Sequence, residues 1–233
     1  MFVQRQMGFE FVWKMVKNRI AGVICAAGMI LLVCALLLLP LHIVGTDGGL
    51  YYRLQLREGI LPEAGVTEDE LRSVDSALAA YLSGDRGALD DVPFNDVERA
   101  HMADCYYLFA LLRRVLLMCA IAGVLLTAAG IILGARRLDR TFLICAAAFA
   151  GMLIILAIWG CVDFASLFDR FHRVLFSNGL WLLNPETDLL IRICPEGMFA
   201  SMAVRIGLYW LGLMAALYIL FRIIVRRRTN AEL

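Results

Sequence analysis

Apolar residues fill four long stretches of the chain, about 20 to 44, 115 to 135, 141 to 162 and 199 to 224, and polar residues gather in the segments between them. Crossing about 30 Å of hydrocarbon takes roughly 20 apolar residues in an α-helix, so each stretch predicts a transmembrane span. The first is too long for the apolar part of a signal peptide, and no small-residue cleavage site follows Leu41, so it is expected to stay as an anchor. Four spans bring both ends of the chain to one side of the membrane.

The segment over residues 45–107 has patterns of its own. LYYRLQLR alternates Leu50, Tyr52, Leu54 and Leu56 against Tyr51, Arg53, Gln55 and Arg57, the period of a half-buried strand. Thr67 followed by Glu70 reads as a capping box. Behind it Leu71, Val74, Leu78 and Tyr81 recur at helical spacing, and Gly84 can close that helix. Asn95 with Glu98 starts a further helix that meets no breaker before the far end of span two. On it His101, Asp104 or Cys105, and Leu108 share a face. The segment over 163–198 begins as a helical extension of span three, with Phe164, Phe168, Phe171 and Leu175 as an apolar stripe and His172 one turn beyond Asp169. NPETD then predicts Asn184 as N-cap and Pro185 as first residue of a short helix to about Ile193, and Pro195 opens span four. The fold class expected is an all-α integral membrane protein of four transmembrane helices with a small mixed strand/helix extracytoplasmic cap.

Composition agrees: of 233 residues 61% are apolar and 18% charged, with mean hydropathy +0.76. The net charge of +1 matters less than its distribution. Lys14, Lys17 and Arg19 precede span one, Arg136, Arg137 and Arg140 lie between spans two and three, and Arg226, Arg227 and Arg228 follow span four. Residues 45–100 instead carry twelve acidic and five basic side chains. The positive-inside rule makes the three basic flanks cytoplasmic. The organisation expected is a cytoplasmic N-terminus (1–19), span one (20–44), an extracytoplasmic cap (45–107), span two with its outer extension (108–135), a cytoplasmic loop (136–140), span three (141–162), an extracytoplasmic loop bearing the chemistry (163–198), span four (199–224) and a cytoplasmic tail (225–233). Arg113 and Arg114, at the outer end of span two, suit lipid phosphates. Nothing points to nucleic acid. Of seven cysteines only Cys105 and Cys194 fall outside the spans, where a packing role is favoured over a disulfide.

His42, His101 and His172 all fall on the extracytoplasmic side of this topology. His101 in HMAD and His172 in DRFH each stand at the mouth of a span with a carboxylate three residues away. An unperturbed imidazole pKa of about 6.5 lets histidine take and return a proton near neutrality, so two in one cleft would supply a base and an acid. The plainer reading makes each an interfacial residue bonded to its acidic neighbour. His42, His101, Asp104 and His172 could also hold zinc, although no HExxH and no cysteine pair at ligand spacing is present; no metal and no cofactor is expected. Asn178, Trp181, Asn184 and Asp188 suit a re-entrant corner or a substrate contact. Arg205, about two turns into span four, should snorkel outward or face the bundle. No serine stands in a nucleophile elbow, so acyl-enzyme chemistry through Ser177, Cys105 or Cys194 lacks support.

HMADCYYLF at 101–109 and FHRVLFSNGLWLLNPETDLLIRICPEGMF at 171–199 resemble the two signatures of the bacterial lipoprotein intramolecular transacylases, and the resemblance covers essentially the whole chain. Departures from that pattern are Leu175 for the first of two phenylalanines, Asn184 for aspartate, Cys105 for valine and Cys194 for phenylalanine. The resemblance implies an acyltransferase of Gram-positive bacteria, acting on the outer face of the cell membrane. It moves the sn-2 acyl chain of a diacylglyceryl-cysteine to the α-amino group of the same cysteine and leaves a lyso-form lipoprotein. It implies His101 and His172 as the acid and base pair and diacylated lipoproteins as substrate; Asp104, Asn178, Trp181, Asp188 and Arg205 are expected to bind substrate or stabilise the oxyanion, and membrane phospholipid is expected as a partner. The rivals are a metal-dependent membrane hydrolase that adds His42 as a ligand, and a non-catalytic membrane chaperone for lipidated proteins.

Overall fold

A computed structural model describes the backbone of residues 2–135 and 138–231, and the side chains of 13–62, 64–135 and 138–227. Arg136, Arg137 and the side chain of Arg228, three of the charges used above for orientation, lie outside the described residues. The described residues form helices α1 (Phe2–Val44), α2 (Gly48–Glu58), α3 (Leu61–Ala64), α4 (Glu68–Ser83), α5 (Asp96–Ile132), α6 (Leu138–Val162), α7 (Phe164–Leu175), α8 (Leu189–Ile193) and α9 (Glu196–Ala231), and no strand. Helices α1, α5, α6 and α9 are long and apolar enough to cross a membrane. Their apolar side chains largely face outward, among them Leu117, Ile121, Leu125, Ile144 and Ile155, as lipid-facing surfaces require.

The chain divides into two compact units. The first takes residues 1–37, 115–152 and 210–233. Here α1 and α5 approach closely through glycine: a Cβ on Gly28 would lie 2.5 Å from the Thr127 backbone nitrogen, and one on Gly130 2.6 Å from Cys25 Cβ. Without a hydrophobic drive between helices in lipid, such contact supplies the packing. Phe142 of α6 stacks with Tyr218 and packs on Phe221 of α9, with centroids 6.2 and 5.3 Å away. Arg222 and Asp139 pair at 3.0 Å.

The second unit takes residues 38–114 and 153–209. Leu50, Leu54, Leu71, Val74, Leu78, Phe94, Met102, Leu190, Ile193 and Met198 form its core. The expected strand at 50–57 is helix α2 instead. A short apolar run fits both periods, and the ends decide: the Asp47 carboxylate accepts from the Leu50 N–H, and Gly59 closes the helix at φ 70°. The buried residues are accordingly Leu50, Tyr51, Tyr52, Leu54 and Gln55, while Leu56 is exposed. Gln55, placed on the polar face by the strand phase, is fully buried; its amide donates to Asp75 Oδ1 and to the Ile193 carbonyl, both at 2.9 Å.

Both capping boxes form. Thr67 and Glu70 cap α4, which ends at Gly84, and Asn95 and Glu98 exchange hydrogen bonds at the start of α5. The Glu98 carboxylate reaches further, accepting from the Leu190 N–H at 2.6 Å and so capping α8 as well. Two expectations for 163–198 are corrected. Span three does not run on into α7, because Asp163 leaves helical geometry and caps a new helix through Ser166 N–H. Asn184 does not start a helix at Pro185: its side chain accepts from Glu186 N–H in a turn, and α8 begins only after Asp188.

Candidate active site

Every residue that touches the two histidines belongs to the second unit. His101 projects from the second turn of α5, just past the Asn95–Glu98 cap. His172 lies near the end of α7, whose apolar face carries Phe164, Phe168 and Phe171. The two rings are buried, with centroids 6.2 Å apart and planes inclined at 39°. Of the two readings the sequence left open, separate interfacial histidines or a shared cleft, the structure has the two imidazoles side by side.

Aromatic rings enclose them. Phe176 packs against both, at 5.2 Å from His101 and 5.8 Å from His172. Phe168 meets His172 edge-on at 4.3 Å, and Trp181 stacks on it at 4.9 Å and 23°. This apolar wall costs an imidazolium its hydration, and burial accordingly holds the His172 pKa below the ordinary histidine value, against opposing contributions from its backbone hydrogen bond and Asp169. His172 Nδ1 lies 2.8 Å from the Phe168 carbonyl oxygen. A carbonyl only accepts, so Nδ1 carries the proton and Nε2 offers its lone pair. Asp169 does not orient His172 as its spacing suggested; it pairs with Arg173 at 2.7 Å. His101 Nε2 lies 3.6 Å from Cys105 Sγ, one turn on, while its Nδ1 is buried without a hydrogen-bond partner.

Asn178 donates to Asp104 Oδ2 at 2.8 Å, tying the loop after α7 to the histidine helix. Asn178 also accepts from Trp181 Nε1 through its backbone carbonyl at 3.0 Å, which fixes the indole over His172. Asp104, Asn178 and Trp181 thus gather around the histidine pair. Asp188 sits apart as a buried knot that accepts from Asn95, Asn184 N–H and Thr187 at 2.7 to 2.8 Å. Thr187 and Asn184 hold its carboxyl below the usual aspartate range. Arg205, partly buried in α9, donates to the Ser201 carbonyl one turn back at 3.3 Å. His42 has its own surroundings, with Thr46 Oγ1 donating to its carbonyl at 2.8 Å. Among the described residues no three histidine, cysteine, aspartate or glutamate side chains converge as metal ligands, so the four-ligand arrangement with His42 does not assemble. Cys105 and Cys194 are free thiols packed against the core.

Sequence reasoning missed Phe176 and the Phe168 carbonyl. Phe176 falls at the C-cap of α7, outside the periodic stripe, so only the fold brings it over both rings. It missed the second role of Glu98 for the same reason: Leu190 is 92 residues away.

The sequence profile of the family described as lipoprotein intramolecular transacylase Lit matches residues 26–199. No curated protein matches. Among solved structures, the membrane integral lipoprotein intramolecular transacylase Lit from Bacillus cereus superposes with TM-score 0.78 at 23% identity, over 91% of this chain and 98% of that one. Two histidine variants of the same Bacillus protein, one to arginine and one to alanine, give TM-scores of 0.75 and 0.76 at 22% identity. They cover 98% and 95% of this chain and 99% of theirs.

Proposed function

The chain belongs to the lipoprotein intramolecular transacylase Lit family, and on that premise we propose that it transfers the sn-2 acyl chain of a diacylglyceryl-cysteine lipoprotein to the α-amino group of the same cysteine. The observation that carries the reading is the pair of buried imidazoles 6.2 Å apart in an aromatic pocket. The α-ammonium, with an ordinary pKa of about 7.7 to 8.0, must lose a proton before its nitrogen can attack. His172, its Nε2 left as acceptor by the Phe168 carbonyl, takes that proton. The nitrogen then bonds to the ester carbonyl carbon and the carbonyl oxygen becomes an oxyanion. The nitrogen gives up its second proton, the carbon–oxygen bond to glycerol breaks, and the glyceryl oxygen leaves with a proton returned by the His172 imidazolium. An amide and a lyso-glyceryl thioether result, and the one proton left over from the ammonium passes to water.

Amine and ester belong to one molecule, so the protein's main task is to hold them in attack geometry, where effective molarities reach about 10⁵ to 10⁸ M. No protein nucleophile is needed. The oxyanion requires a donor already in place; Asn178 and His101 are the candidates, while the Trp181 N–H is committed to the Asn178 carbonyl. Asp104 holds Asn178 at 2.8 Å, and the hydrogen bonds of Asp188 suit a supporting role for the loop. Arg205 suits a phospholipid or substrate headgroup. The charge pattern supports a bacterial cell-membrane location with both termini cytoplasmic and the histidines on the extracytoplasmic face, and the Bacillus relatives fit a Gram-positive source.

The test is mass spectrometry of a diacyl lipoprotein N-terminus from a host without other N-acylating enzymes. The wild-type chain should convert it to the N-acyl lyso-form. His101→Ala and His172→Ala should each lower conversion by about 10² to 10⁴, and His42→Ala should leave it largely intact. Unchanged diacyl product with the wild-type chain overturns the reading. Release of free fatty acid without N-acylation would favour the metal hydrolase, and full conversion by both site variants would exclude His catalysis.

A further inference from the structure

The acyl transfer proposed above needs a proton acceptor and a proton donor, and the two histidines are held differently. His172 gives Nδ1–H to a carbonyl and keeps Nε2 free. His101 has a thiol at Nε2 and a buried, unpartnered Nδ1. We infer that Cys105 is a positioning residue that fixes His101 as a hydrogen-bond donor: its S–H occupies Nε2, so the ring proton resides on Nδ1 and is the hydrogen bond offered to the oxyanion, while the proton of the departing glyceryl oxygen comes from the His172 imidazolium.

Three observations support the assignment. First, Cys105 follows His101 by four residues on the continuous helix α5, which holds Sγ 3.6 Å from Nε2 without a loop to relax. Second, a thiol with an ordinary pKa of about 8.5 keeps its proton at neutral pH, and sulfur accepts hydrogen bonds poorly whereas an imidazole nitrogen accepts them well. S–H to nitrogen is therefore the better of the two arrangements. Third, Nδ1 is left buried with no partner. A buried N–H left unmet costs about 1 to 3 kcal/mol, and a substrate oxygen would relieve that. The two histidines are thereby given opposite roles, His172 as base through Nε2 and His101 as donor through Nδ1.

The inference rests on the histidine-pair reading, and its experiment can fail separately. The chain has only three histidines, so nitrogen NMR of the ¹⁵N-histidine-labelled full-length protein in nanodiscs resolves each ring, with His42→Gln, His101→Gln and His172→Gln supplying the assignments. The expected result is a protonated Nδ1 and an unprotonated Nε2 on both His101 and His172 at neutral pH. Cys105→Val should shift His101 toward the Nε2–H form that imidazole prefers in water, and Cys105→Ser should retain the wild-type tautomer. With a diacyl lipopeptide, Cys105→Val should lower kcat by about fivefold, the worth of one ordinary hydrogen bond, leave KM within about twofold, and be at least partly rescued in Cys105→Ser. A His101 ring already protonated on Nε2 in the wild type, or a tautomer unchanged in Cys105→Val, overturns the inference. Neither result bears on whether acyl transfer occurs, because the NMR arm requires no turnover.

Discussion

His172 works in a place that resists charging it. Phe168, Phe176 and Trp181 surround the ring, and burial holds its pKa below the unperturbed value near 6.5. For a base the sign is direct: the neutral form that accepts a proton persists as pH falls, and the acid limb of kcat/KM should lie below pH ~6.5. Trp181→Ala opens one face to water, which should raise the pKa and move that limb upward. A pH series on a diacyl lipopeptide reads the shift, and a limb that stays in place would show that the indole does not set the environment of the imidazole. At this scale the sequence was informative about identity and poor about partners. His101 and His172 were legible as a candidate pair because each stands three residues from a carboxylate at the mouth of a span. The carbonyl that fixes the His172 tautomer was not, because any residue supplies a carbonyl. Asp169 had the right spacing to orient His172, yet Arg173, also one turn away, captures it with a full charge.

At the scale of elements, Glu98 is the joint. One buried carboxylate accepts from the Asn95 N–H at 2.8 Å and from the Leu190 N–H at 2.6 Å, so it caps the histidine helix and α8 together. Glu98→Ala leaves both N–H groups unmet at about 1 to 3 kcal/mol each. The protein in detergent should melt several degrees lower, and conversion should fall as α8 loosens. An unchanged melting temperature would mean that water or a rearranged loop replaces the carboxylate. Helix ends were legible where a side chain caps its own helix, as at Thr67 and Asn95. They were misread where the residue had two local options. Asn184 takes a turn with Glu186, and LYYRLQLR fits a strand phase until Asp47 and Gly59 are counted as helix caps.

At the scale of the whole molecule, four apolar helices and a marked charge asymmetry carry the proposed orientation. Lys14, Lys17, Arg19, Arg140, Arg226 and Arg227 flank spans, and the acidic residues concentrate in 45–100. With the proposed orientation, green fluorescent protein joined to the C-terminus should fluoresce and alkaline phosphatase there should stay inactive. The reverse outcome would turn the topology over and place the histidines on the cytoplasmic face. The spans themselves were legible because bilayer thickness fixes their length. The packing of the second unit was not, since contacts such as Gln55 with Ile193 and Glu98 with Leu190 join residues about a hundred positions or more apart. A contact over a much shorter stretch of chain, nine positions, has an optical consequence. Trp181 lies flat against His172, and an imidazolium quenches indole emission more strongly than neutral imidazole does. The difference in fluorescence between the wild type and His172→Gln across a titration would therefore follow the charge on this one ring. The protein has a built-in indicator dye for the charge on His172, readable before any substrate is added.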